Sequence, residues 1–472
     1  MKIKKILLAI LATVALSACN KNELLPEQGL QGDAGYLVLN LDNPAFSKLN
    51  GTSPSRTSGS SVDNGTEQEN KINSITVVLT DASGVISFVA NPAITNGKIE
   101  KIKVTLGQHY VYAIANNPII VSEGQNINQV FNFQTAADGF KDGSLLMTNQ
   151  RNSNLEQAGV LATVTKENSI TNPSRVTINV DHTSCKISDE TTNPTVTNLA
   201  ISTNNIIDNV EIEGFSMLNV NKEFNLIQMW GTDNATGISL NSEVLSTPFP
   251  STDLVADQYI HNIGTYTILT KDGDDNIISI TDNTVGKTDV FNRGPVYIPE
   301  NRPTIFAFEA DGITAGRGET TGVIYKVQAK KGSTNLGTFY KYKNVLSEDL
   351  ADIQELSDFT GKTLSSLSNS DLRALNIRVY EDGVMYYSHF IRDTNEAYQY
   401  DDKNYYAVFR NTSYKLKVNS ISQIGDDVPG GIVVDPSKTG EAGNPTLDTQ
   451  DAYIEISVTV NPWILNIVDI EF

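Results

Sequence analysis

A chain of 472 residues is longer than one ordinary hydrophobic core and points to two or three domains. Apolar residues at 39% and aromatic residues at 8% are enough to build packed cores, which excludes a disordered chain. With 35 basic against 55 acidic residues the net charge is −20, and no basic stripe interrupts it, so nucleic acid is excluded as a partner.

The chain opens with Lys2, Lys4 and Lys5, followed by an apolar run from Ile6 to Leu16 that is too short to span a bilayer. Leu16-Ser17-Ala18-Cys19 then places small residues before a cysteine. This is the pattern of a bacterial lipoprotein signal over residues 1–18. The thiol of Cys19 takes the diacylglycerol, and each buried methylene of the acyl chains adds roughly 0.8 kcal/mol of membrane anchoring. With Cys19 lipidated no disulfide within the chain is possible, and Cys185 is expected as a small buried apolar residue.

Behind the signal comes one alternating run, Tyr36-Leu37-Val38-Leu39-Asn40-Leu41, whose leucines share a face. Asn43-Pro44 ends it, and residues 49–70 have the composition of a flexible linker. Arg56 is the first arginine of the chain and Arg151 the next, so an arginine-specific protease meets one exposed site ahead of the folded body. Residues 19–56 therefore read as a lipidated propeptide with a removable strand. The competing reading is a spacer that holds a domain off the membrane.

From Ile72 the sequence is strand after strand. Ile75–Leu79 and Val85–Val89 flank the turn Asp81-Ala82-Ser83-Gly84, a hairpin by its chemistry. Ile102–Leu106, Tyr110–Ala115, Val160–Val164 and Val176–Val180 alternate in the same way, and the less regular stretch Gln125–Met147 has room for a short helix. The polar stretch Asp189–Pro194 is the best boundary, giving an N-terminal sandwich over 57–190 and a C-terminal one over 191–472. Beyond it follow Val210–Ile212, Phe224–Met229 and Ile277–Ile280, then Ile377–Tyr380, Met385–Ile391, Tyr405–Phe409, Tyr414–Val418 and Ile454–Val460. Leu350, Ile353 and Leu356 recur at helical spacing, so a helix is expected over Ser347–Leu356 with Ser347 as its N-cap. The fold class is mostly β, two tandem antiparallel β-sandwich domains with a few short helices. Pro462 interrupts the alternation before it, after which Trp463–Phe472 reads as a further strand that needs a sheet, its own or a neighbour's.

In this order the motifs resemble the fimbrillins of Bacteroides-type bacteria, the type V pilins, most closely the major subunit of short fimbriae. The residues carrying the resemblance are the lipobox with the strand and arginine behind it and Leu145-Leu146-Met147-Thr148-Asn149. Tyr297-Ile298-Pro299-Glu300-Asn301, the run from Gly318 to Lys330, the run from Arg410 to Val418 and the tryptophan-led last strand complete it. Asp181–Ile187 departs from the family pattern, where an arginine-led apolar run is more usual. The resemblance implies that the lipoprotein reaches the outer membrane and that an arginine-specific protease cuts Arg56–Thr57. The strand Tyr36, Leu37, Val38, Leu39, Leu41 then leaves. A neighbouring subunit's strand, with Trp463, Ile464, Leu465, Ile467, Val468, Ile470 and Phe472 as candidate anchors, takes the gap. Such a contact is head-to-tail and open, so it yields a homopolymeric filament, with accessory tip and anchor subunits as further partners. The implied role is adhesion and biofilm formation. Alternatives are a tip or anchor subunit, or a monomeric surface glycan-binding lipoprotein.

No enzyme is expected. His109, His182, His261 and His389 lack metal-ligand spacing, and no hydrolase, nucleotide or dinucleotide motif occurs. Lys271–Asn276 has alternate Asp272, Asp274 and Asn276 but lacks the glycine and distal glutamate of a calcium loop, so a hairpin turn is expected. The pairs Tyr386-Tyr387 and Tyr405-Tyr406 fit cross-strand packing better than a sugar site. No metal and no cofactor are expected.

Overall fold

A computed structural model describes residues 33–42, 63–95, 98–116, 120–127, 134–135, 142–149, 159–193, 195–196, 206–218, 220–221, 223–224, 226–227, 230–231, 243–244, 259–260, 265–271, 277–284, 291–301, 306–309, 312–315, 321–391, 393, 408–429 and 454–463. Over these residues the chain is mostly β with a few short helices, as the alternation of its sequence leads one to expect.

Eight strands make the first sheet: β1 (Ala34–Asp42), β2 (Ile75–Thr80), β3 (Ile86–Ala90), β4 (Ile102–Thr105), β5 (Gly107–Ala115), β6 (Met147–Asn149), β7 (Val160–Val164) and β8 (Ser174–His182). Their order is β3-β2-β5-β6-β8-β1-β4, with β7 joined to β5. The β2–β3 hairpin turns where expected. Asp81 accepts from the N–H groups of Ser83 (2.8 Å) and Val85 (3.0 Å), and Gly84 takes φ +81°, which a side chain would resist. Its strands share one core, in which Leu37, Leu39 and Leu41 of β1 join Ile75, Val77 and Leu79 of β2. The other face of β2 is covered too. Val78 packs with Ile86, Ile114, Phe224 and Leu226, so β2 is buried on both sides.

Beyond β8 come β9 (Ser184–Asp189), β10 (Asn209–Leu218), β11 (Val296–Pro299), β12 (Gly322–Lys331), β13 (Phe339–Tyr342), β14 (Val345–Ser347), α1 (Leu350–Gln354), α2 (Asn369–Ala374), β15 (Arg378–Tyr380), β16 (Val384–Phe390), β17 (Thr412–Ile421) and β18 (Ile454–Pro462). One sheet runs β11-β9-β17-β18, and in a second β10 pairs with β12 and β12 with β16. Their inward residues meet in a second core, among them Ile187, Phe215, Tyr325, Tyr387, Tyr414, Leu416 and Ile454. Tyr387 lies opposite Tyr325 across the β12–β16 pair, the packing role expected of it; Tyr405 and Tyr406 lie outside the described residues. A satellite lobe of β13, β14, β15 and the two helices has its own small core of Ile353, Phe359, Leu364, Leu372, Ile377 and Val379.

Within the mostly antiparallel fold two pairings are parallel, β1 with β8 and β9 with β17; each joins strands far enough apart in sequence for the crossover a parallel pair needs. The chain passes from the first core to the second at Thr183, between Val180 and Cys185. The polar stretch that composition marks as a boundary begins at the end of β9, the next strand. Asp189 at the start of that stretch is buried, with its carboxylate held by Arg293 Nε (2.9 Å) and the Thr191 N–H (2.9 Å). The helix near 350 is capped by Asp349, whose side chain accepts from Ala351 N–H, while the Ser347 hydroxyl is taken up by Asp349 N–H and Asp352. Pro462 does not break its strand: it is the last residue of β18, opposite Thr412. Residues 265–271 and 277–284 pair as a hairpin, as expected, and residues 272–276 between them lie outside the described residues.

Candidate functional site

The segment Tyr36–Leu41 lies within β1, an internal strand. It runs parallel to β8, with Leu37 opposite Ser174, Leu39 opposite Val176 and Leu41 opposite Ile178, and antiparallel to β4 from Ala34 to Leu37. Alternation puts the three leucines into the core, at 0%, 0% and 7% exposure, and Val38 behind them is buried as well. Four such side chains at roughly 1.5–3 kcal/mol each supply on the order of 10 kcal/mol of gross burial. The N-terminal end is fastened by the turn after β7, where Tyr36 N–H donates to Asn168 O (2.9 Å) and Asp33 pairs with Lys166. One group is left out: Asn40 Oδ1 is buried without a hydrogen-bond partner. Take β1 away, and a groove lined by core residues opens between β8 and β4.

The next described segment, from Asp63 to Asn70, enters a buried polar junction between the two cores. Glu69 is fully buried and its carboxylate meets Lys186 Nζ (2.8 Å), the Tyr297 hydroxyl (2.7 Å) and the Thr66 N–H (2.6 Å). Lys186 also reaches Asp63 (3.4 Å), which in turn accepts from Ser413 (2.8 Å) and the Gly65 N–H (2.9 Å). Burial would raise the Asp63 carboxyl, but these hydrogen bonds together with Lys186 and Lys415 outweigh it and hold it below its ordinary value. The Tyr297 phenol is pushed well up, first by burial and then by its bond to Glu69.

Trp463 closes this junction. It is fully buried, packs within the first core, and lies between Tyr297 and His182, whose ring it stacks on. Its backbone N–H donates to Asn411 O (3.0 Å) while Asp63 makes a parallel bridge to it, so the segment from Asp63 and the end of β18 meet here. His182 is wholly buried, and burial lowers its pKa to about 4. Its two nitrogens face acceptors, Asn411 Oδ1 and Glu69 O, an arrangement that favours the charged ring. Both contacts are long at 3.3 Å, so desolvation prevails.

Several motifs that carried the resemblance converge on the same place. Asn149 bonds the β5 backbone at Ala113 (2.7 Å) and Val111 (3.1 Å). Leu226 O accepts from Thr148 (2.6 Å) and from Arg410 (2.8 Å), and Arg410 forms a buried ion pair with Glu300 (2.7 Å). Cys185 is buried as expected, its thiol near Ile298 O (3.3 Å) and its pKa raised by desolvation.

Of the residues singled out from sequence, Tyr36, Leu37, Val38, Leu39 and Leu41 share one strand and Trp463 sits in the junction. Cys19, Arg56, Thr57, Ile464, Leu465, Ile467, Val468, Ile470 and Phe472 lie outside the described residues. Trp463, expected to lead a strand offered to a neighbour, is an anchor within its own body. Asp63, Glu69 and Lys186 were not singled out, since opposite charges so far apart in the chain leave no local pattern.

Residues 378–469, which include β16, β17, β18 and Trp463, match the model of the major fimbrial subunit protein type IV, fimbrillin, C-terminal family. The resemblance to fimbrillins read from the sequence is borne out over this region. Among solved structures the chain is similar to a candidate cell adhesion protein from Parabacteroides distasonis (12% identity, 91% of this chain and 100% of that one, TM-score 0.45). It is similar also to a fimbrilin from Porphyromonas gingivalis W83 (11%, 92% and 99%, TM-score 0.42). A third is the tip fimbrial protein Mfa3 from Porphyromonas gingivalis with C-terminal truncation (10%, 91% and 100%, TM-score 0.37). No curated protein matches the chain.

Proposed function

We propose that this chain is a non-enzymatic structural subunit of a bacterial surface fimbria. It is exported as a lipoprotein on Cys19, cut between Arg56 and Thr57, and polymerised by strand exchange, with residues 464–472 as the strand offered to the next copy. Before the cut the lipid holds it at the outer membrane; afterwards tip and anchor subunits complete the fibre. The body comprises two sandwiches, over residues 57–190 and 191–472.

The observation that carries this reading is the position of β1. It is an internal strand with three core leucines, and in the sequence it is joined to the rest of the body through a stretch of linker composition that contains the first arginine of the chain. Loss of such a strand exposes two sheet edges and a row of apolar pockets, which an extended segment of another copy fills with main-chain hydrogen bonds and alternate side chains. N-terminal sequencing of material sheared from the cell surface tests it. A start at Thr57 supports the pilin; an acylated Cys19 overturns it in favour of a membrane-held binder.

A further inference from the structure

Burial in β1 does not by itself fix the register of the strand. Leu37, Val38 and Leu39 are all buried, so apolar side chains point to both faces and a shifted strand still finds apolar surroundings. What distinguishes the observed register is Gly35. It lies in phase with the three leucines, on the inward face, and is itself buried. A Cβ at this position would stand 2.6 Å from Val164 Cγ1, 2.9 Å from Thr165 O and 3.2 Å from Asn168 O. Two of these three atoms are backbone oxygens and cannot rotate away. They are further fixed because Thr165 N–H and hydroxyl both bond Asn168 Oδ1 (2.7 and 3.1 Å) and Asn168 N–H returns to Thr165 O (3.0 Å).

We propose that Val164, Thr165 and Asn168 form a notch that pins the register and sets the specificity of the strand in the groove. The notch admits a residue without a side chain, two positions before the first of three alternate apolar anchors. A slip of two residues in one direction drives Leu37 into the notch. The opposite slip brings in Asp33, a carboxylate that burial there would strip of water. A strand that replaces β1 must therefore bring a glycine to this position or stop short of it. The run of residues 464–472 contains no glycine, alanine or serine, so a copy's run enters the leucine pockets without engaging the notch. The notch thus separates the chain's own first strand from an incoming one. This last step rests on the exchange reading above.

Two measurements decide it separately. In the intact chain, Gly35→Ala lowers the melting temperature, and adding Val164→Ala to it restores part of the loss although Val164→Ala alone is destabilising. Additive effects, or no effect of Gly35→Ala, overturn the notch. In protein cut after Arg56, a labelled peptide of residues 33–42 exchanges with the resident strand, and the same peptide with Gly35→Val competes about tenfold less well or worse. Equal competition by the two peptides overturns the specificity. If neither peptide enters, the replacement role of the notch falls with the exchange reading, while the melting data still decide the register pin.

Discussion

The indole of Trp463 lies flat on the imidazole of His182, with ring centroids 3.9 Å apart and planes within 4°. The pair joins the last described residue of the chain to the last residue of β8, at the point where the chain leaves the first core for the second. It gives the junction a titratable group with no access to water.

Protonation of His182 therefore opposes folding. Its pKa falls from the ordinary 6.5 to about 4 in the folded chain because burial disfavours the charged ring, with Lys186 adding a smaller effect in the same direction and Glu69 opposing it. The stabilisation is fully present above pH about 6.5, where both states are neutral, and is lost as pH falls towards about 4 because the unfolded chain binds the proton first. The shift corresponds to on the order of 3 kcal/mol. Thermal unfolding between pH 4 and 7 checks this: the wild type loses stability across the window, and His182→Phe, which keeps a ring against Trp463, flattens the loss.

Lys186 is the cation shared by two carboxylates, Glu69 at 2.8 Å and Asp63 at 3.4 Å. Lys186→Met leaves Glu69 without a cation and Asp63 with only the more distant Lys415 in a buried site, which costs about 3–5 kcal/mol. Denaturant unfolding at neutral pH reads this directly. Adding Glu69→Gln to Lys186→Met recovers part of the loss, because one of the stranded charges is gone; no recovery means that the ion pair is not what holds the segment 63–70 in place.

Asn40 carries a buried amide oxygen with no hydrogen-bond partner in the middle of a strand otherwise built for burial. Asn40→Val removes the unsatisfied group and raises β propensity, so it stabilises the intact chain by about 1–3 kcal/mol. In protein cut after Arg56 the same substitution slows release of the first strand. A lower melting temperature in Asn40→Val would mean that the amide is satisfied in solution.

The parts of this fold that were legible in the sequence are those with a local signature. The leucines of β1 announce themselves by alternation, the β2–β3 hairpin by Asp81 and Gly84, and the packing of Tyr387 by its place in an alternating strand. Gly35 was legible in principle, being in phase with Leu37, Leu39 and Leu41. What stayed hidden is non-local. Nothing in Tyr36–Leu41 says that its partner is β8 and that the pairing is parallel, because register across a long crossover is set by the whole sheet. The junction was hidden for the same reason: Tyr297 and Trp463 stand out in the sequence, but nothing local joins them to Glu69 and Lys186. At α1, Ser347 and Asp349 both have capping chemistry, and their sequence neighbours alone do not say which hydroxyl or carboxylate faces the free N–H groups.

The placement of Trp463 separates two roles within the run Trp463–Phe472, and two truncations resolve them. A chain that ends at Trp463 keeps the stack on His182, the bond to Asn411 and the bridge to Asp63. It folds with the melting temperature of the full chain and, on the proposed function, is exported but forms no fibres. A chain that ends at Pro462 loses a fully buried tryptophan as well, at a cost of about 3–5 kcal/mol, and its loss of fibres is accompanied by a lower melting temperature. Fibres of normal length from the chain ending at Trp463 would remove residues 464–472 from assembly. Equal melting temperatures for the two truncations would remove Trp463 from the junction.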